Sequence, residues 1–92
     1  MYTRVSRVIE EYVLWTDAVE YSIKGRVVEH LEADPKGRYG WEISHHYQPS
    51  QSAAGVYHPS TVTGATVELV QGLVLGYMRN FQNINVTPNS RY

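Results

Sequence analysis

Hydrophobic and polar positions recur along this chain with two different periods, and the places where the period changes mark its elements. From Thr3 to about Thr16, Val5, Val8, Ile9, Tyr12, Val13 and Trp15 fall in one helical arc. Arg4, Arg7, Glu10, Glu11 and Asp17 lie opposite, and only Leu14 is out of place. The spacing predicts a helix over 3–16 with Thr3 as its N-cap, although the β-branched content pulls toward strand. From Ala18 the period drops to two. Val19, Tyr21, Ile23 and Val27 take one side, and Glu20, Ser22, Lys24 and Arg26 take the other. This predicts a strand over 18–33, bent or bulged at Gly25.

The segment Asp34-Pro35-Lys36-Gly37 reads as the turn of a β-hairpin whose second strand covers 38–47. Pro35 suits the first central position of a type I turn, and Gly37 suits a left-handed closing position. A three-residue loop at Pro35–Gly37 pairs Leu31 with Trp41, Glu29 with Ile43, Val27 with His45 and Gly25 with Tyr47. These share an apolar, aromatic face, with Tyr47 covering the bare Gly25. Glu32–Gly40, His30–Glu42, Val28–Ser44 and Arg26–His46 share the more polar one.

Residues 48–60 hold Pro49, Gly55, Pro59 and several serines, and read as loop. Ser60 can then cap a helix over about 61–81, whose apolar positions Val62, Val67, Leu69, Val70, Leu73, Val74, Tyr77, Met78 and Phe81 cover half its circumference. Gly72 and Gly76 lie within it, four apart, each at a helix-propensity cost of about 1 kcal/mol. Asn83–Thr87 offers a short tail strand. The expected fold is a single α+β domain over 1–92: an N-terminal helix, a long antiparallel hairpin, a loop, and a C-terminal helix packed on the aromatic face.

Composition narrows the function. At 92 residues the chain supports one modest core. With no cysteine there is no disulfide framework or thiolate metal site. The start lacks the apolar run of a signal peptide, and no stretch reaches membrane-spanning length, so a cytoplasmic protein without membrane contact is expected. A net charge of −1 argues against a general nucleic-acid footprint and leaves little repulsion between copies. Eight tyrosines suit surfaces that are dry at one end and wet at the other.

The chemistry is sparse. His45 falls on the apolar face with Glu29 diagonal to it, an arrangement that tunes acid–base pairs. Tyr47 and His58 complete a candidate site under the 48–60 loop. His45 and His46 point to opposite sides of a strand and cannot chelate together, and no metal or cofactor motif is present. The leading expectation is a self-associating structural or interaction module, a homodimer, rather than an enzyme. The alternative is a small enzyme or ligand-binding protein using His45, Glu29, Tyr47 and His58. A third reading, nucleic-acid binding through Lys24, Arg26, Arg38 and the aromatics, is diluted by Glu20, Glu32 and Glu42.

Overall fold

The computed structural model describes residues 5–31, 35–59 and 62–92. Expectations placed on Thr3, Asp34 and Ser60, and on pairs of Glu32 and Ala33, lie outside them. Among the described residues the fold is α+β: strands β1 (Ser6–Leu14), β2 (Ile23–His30), β3 (Tyr39–Ile43), β4 (His45–His46) and β5 (Thr63–Gly64), helix α1 (Val67–Arg79), and strand β6 (Thr87–Pro88). An antiparallel sheet runs in the order β1-β2-β3-β5, and β4 pairs with β6 apart from it. Helix α1 packs across β2 and β3.

The expected N-terminal helix over 3–16 is strand β1 instead. Its pairing with β2 carries a bulge between Val8 and Glu10, so Ile9 is an extra residue. A bulge resets the alternation. Before it, Arg7 shares the helix-side face with Glu29; after it, Glu10, Tyr12 and Leu14 share that face with Val27, Gly25 and Ile23. The broken period of two passes for a helical one. Tyr12 then donates to the Glu10 carboxylate and accepts from the Gln71 amide at 2.9 Å, while Gln71 also donates to Glu10 at 3.1 Å, tying α1 to this strand.

The hairpin is present with a different register and a longer connection. Gly25 faces Ile43, Val27 faces Trp41 and Glu29 faces Tyr39, in place of Tyr47, His45 and Ile43. The first strand covers 23–30, not 18–33, and the second ends at Ile43. Leu31, expected opposite Trp41, is exposed beyond the ladder. The ladder closes where the His30 N–H donates to the Arg38 carbonyl, and Pro35–Gly37 forms one turn of 3-10 helix inside that connection. No described glycine has positive φ, so Gly37 does not take the left-handed conformation. Each shift moves a residue's partner by four positions, an even number, so the faces survive: Gly25, Val27, Glu29, Tyr39, Trp41 and Ile43 still share one side.

That side makes the core. Ile23, Val27, Trp41 and Ile43 from the sheet meet Val70, Val74, Tyr77 and Met78 from α1, with Tyr47 beneath the helix end. Gly25 is bare so that α1 can approach. A Cβ there would stand 2.7 Å from both Val74 Cγ2 and Met78 Sδ. The helix is shorter than the expected 61–81 and starts at Thr66, whose hydroxyl accepts the Leu69 N–H. Three of its last carbonyls are met: Gly76 by the Asn80 amide at 2.8 Å, Met78 by the Phe81 N–H, and Tyr77 by the Tyr47 hydroxyl. The expected tail strand appears further on, as β6. Beyond it the chain crosses the opposite face of the sheet, where the Arg26 guanidinium sits 4.2 Å from the centre of the Tyr92 ring.

Candidate functional site

The four expected site residues occupy three separate places. Glu29 is buried at the hairpin end, held by Arg38 at 2.5 Å and by Arg7 at 2.7 Å. Arg38's hydrogen bond, with both positive charges, holds its carboxyl below the usual range against the opposing effect of burial. His45 lies two residues past Ile43, the partner of Gly25, which puts it six strand steps, roughly 20 Å, from Glu29. The expected Glu29–His45 acid–base pair does not form. The shifted register takes it apart.

His45 stacks instead on Tyr21, with ring centres 4.7 Å apart, and its Nδ1 bonds the Ser44 hydroxyl at 2.8 Å. Partial burial pushes its pKa down, which favours the neutral ring. The two arginines of the nucleic-acid reading are engaged as well. Arg26 is paired with Glu42 at 2.6 Å and covered by Tyr92, and Arg38 is committed to Glu29.

Tyr47 precedes the 48–60 loop and His58 lies within it, and the loop has an internal frame that periodicity does not reveal. The Tyr57 N–H donates to the Tyr47 carbonyl at 3.0 Å and joins the ends of the loop. Within it, the buried Gln48 amide donates to the Ser50 and Ala53 carbonyls and its oxygen accepts from Asn85. One amide thus satisfies several loop groups that have no sheet or helix partner. Tyr47 donates to the Tyr77 carbonyl at 2.6 Å, and burial, with the Tyr77 phenol beside it, pushes its pKa up to about 12. Tyr77 in turn donates to the Tyr57 carbonyl at 2.9 Å and accepts the Tyr47 N–H at 3.2 Å. These phenols are neutral structural donors, not bases.

Between this loop and α1 runs a groove of about 480 Å³, walled by Trp41, Tyr47, Tyr57 and Tyr77, with Pro49, Pro59 and Leu73, and rimmed by Gly72 and Gly76. Among the described residues its lining carries no carboxylate, imidazole or amine. On the other side of Tyr77, the His46 and His58 rings sit 4.4 Å apart. Burial, then the neighbouring His58 and His45, push His46 toward its neutral form. Among the described residues no three histidine, aspartate or glutamate side chains cluster closely enough to hold a metal ion, and no helix is long and apolar enough to cross a membrane. The arrangement offers an apolar contact surface and a pair of imidazoles. Comparison with protein-family models, with curated proteins and with solved structures finds no match to this chain.

Proposed function

We propose that this chain is a small interaction module that works as a homodimer, joined through the outward face of α1. A contrast among its glycines carries this reading. At Gly25, Gly40 and Gly64 a Cβ would come within 2.7 Å of a neighbour or closer, so close approach inside the chain accounts for each. At Gly72 and Gly76 a Cβ would meet nothing within 4 Å. The two helix glycines weaken α1 by about 1 kcal/mol each and relieve no crowding within one copy.

Gly72, Gly76 and the half-exposed Leu69 span about 60° of arc and point away from Val70 and Val74. A second copy laid antiparallel on this face, about a twofold axis near Val74, sets Gly72 against Gly76 of the second copy. Glu68 and Arg79 lie on one flank of the helix, so the same axis sets Glu68 against Arg79 of the second copy, twice. Opposite charges at both ends favour that partner. The other route to self-association, pairing along the outer edge of β1, is opposed by the bulge and by Arg7, Glu10 and Glu11.

Sedimentation of the wild-type chain at high micromolar concentration is expected to give a dimer. Gly76→Ala is expected to weaken the dimer while leaving the thermal midpoint of the monomer no lower than that of the wild-type monomer, because a Cβ at this position meets nothing within 4 Å in one copy. A wild-type chain that stays monomeric rejects the reading. A second reading, an apolar ligand under the loop, is favoured by the aromatic groove, with Tyr47 as wall rather than catalyst. It predicts that such a ligand quenches Trp41 fluorescence and that Tyr57→Ala removes the effect.

A further inference from the structure

The β4–β6 pairing has a consequence on the face turned away from the aromatic groove. His46 pairs with Thr87, which lays residues 87–91 of the tail beside the histidine. The loop meanwhile returns His58 to within 4.4 Å of the His46 ring centre. Three segments far apart in sequence therefore meet around a hollow of about 350 Å³, lined by His46, His58, Thr87, Asn89, Ser90 and Arg91.

The charge of that lining is one-sided. Among the described residues it holds two imidazoles, a guanidinium and two hydroxyls, and no carboxylate. Among the described residues no acidic side chain pairs with His46, His58 or Arg91. The titratable groups around His46 are His58 from the loop, His45 beside it, Tyr77 from α1 and Arg91 from the tail. Glu42 and His30 line an adjoining hollow that shares His46, Asn89 and Arg91 with this one, and Glu42 is bonded there to Arg26 at 2.6 Å. Asn89 is already committed: its amide donates to the Ile43 carbonyl, and its oxygen accepts the Arg91 N–H.

We infer that this hollow binds a small tetrahedral oxyanion, inorganic phosphate or the terminal phosphate of a small phosphate ester. A guanidinium and N–H donors converging on one space suit tetrahedral oxygens, and charge-assisted bonds of this kind are the strong ones. A metal cation fits less well, because only two imidazoles are in reach and Arg91 repels it. An anion whose own charge is fixed, seated between the rings, favours their charged forms, so its binding takes up protons and strengthens as pH falls.

The test follows the imidazole C–H resonances of His46 and His58 in the intact chain. Inorganic phosphate is expected to shift both. Sulfate keeps its charge across this range, so it reports the protein's own titration; its affinity is expected to rise roughly tenfold from pH 7.5 to 5.5. Arg91→Gln, at an exposed tail position, is expected to weaken phosphate binding about tenfold or more without moving the thermal midpoint. His58→Gln is expected to weaken it and to flatten the pH dependence. A response to glycerol phosphate tighter than to free phosphate identifies the ester as the ligand, and the reverse identifies the free ion. The inference is overturned if phosphate moves these resonances no more than chloride at equal ionic strength. It is also overturned if Arg91→Gln binds as well as wild type, or if zinc rather than phosphate perturbs them.

Discussion

Gly25 and Gly37 are the same residue type in opposite circumstances. Gly25 is pressed by α1, with Val74 Cγ2 and Met78 Sδ each 2.7 Å from where a Cβ would stand. Met78 can swing its end away, but the β-branched Val74 cannot. Gly25→Ala is therefore expected to lose about 1–3 kcal/mol in urea denaturation. Gly37 has ordinary φ, and a Cβ there would meet only Thr63 Oγ1, at 3.9 Å. Gly37→Ala is expected to stay within about 0.5 kcal/mol of wild type, whereas a left-handed turn glycine would make it clearly destabilising. Glu29 gives the residue scale a pH signature. Arg38 and Arg7 hold its folded pKa below the unfolded value. The stability it contributes is therefore complete above the unfolded carboxylate pKa of about 4.3 and is lost as pH falls through the lower folded value. Comparison with Glu29→Gln in acid denaturation checks this: the variant is expected to start lower at neutral pH and to lose less between about pH 4 and 2.

Elements were legible in the sequence where their pattern was unbroken. Alternation assigned the two faces of the hairpin correctly, because its pairing shifted by an even number of positions. The register was not legible, since Pro35–Gly37 makes one turn within a connection that closes only at His30 and Arg38. β1 was misread for a different reason: the extra residue Ile9 breaks a period of two into something that fits 3.6. Of the candidate site, neither the role of Gln48 nor the approach of Arg91 was legible. Both depend on contacts to the tail, and the β4–β6 ladder of two residues is too short to leave a periodic trace. The end of α1 shows how such a contact matters to an element. The Tyr47 hydroxyl satisfies the Tyr77 carbonyl in the last turn, where no helical N–H remains to do so. Tyr47→Phe is expected to lower stability by about 1–2 kcal/mol. It also changes the alkaline limb. The folded phenol titrates near 12, above the ordinary tyrosine value, so its contribution is complete below about pH 10 and is lost as pH rises through the folded pKa. Wild type is expected to lose more stability over that interval than Tyr47→Phe.

For the whole molecule the deciding question is whether the face of α1 meets a second copy, and the charges at its two ends permit a test independent of the glycines. Glu68 sits in the first turn and Arg79 in the last, each favourable to the helix dipole. An antiparallel pair about an axis near Val74 brings Glu68 of one copy to Arg79 of the other at both ends. Glu68→Arg then sets cation against cation twice, and Arg79→Glu sets carboxylate against carboxylate twice. At about 0.2–1 kcal/mol per exposed contact, each single change is expected to weaken dimerisation roughly threefold to tenfold at low salt. The pair of changes together restores opposite charges across the axis and is expected to recover most of that loss. The dipole makes the double variant less stable as a monomer, by about 0.3–1 kcal/mol per reversed charge, so recovered association cannot come from a sturdier helix. Unfolding at dilute concentration and sedimentation at high concentration separate the two effects. A double variant that associates no better than either single one places the contact elsewhere on the molecule, because only the proposed pairing gives the two changes a reason to compensate.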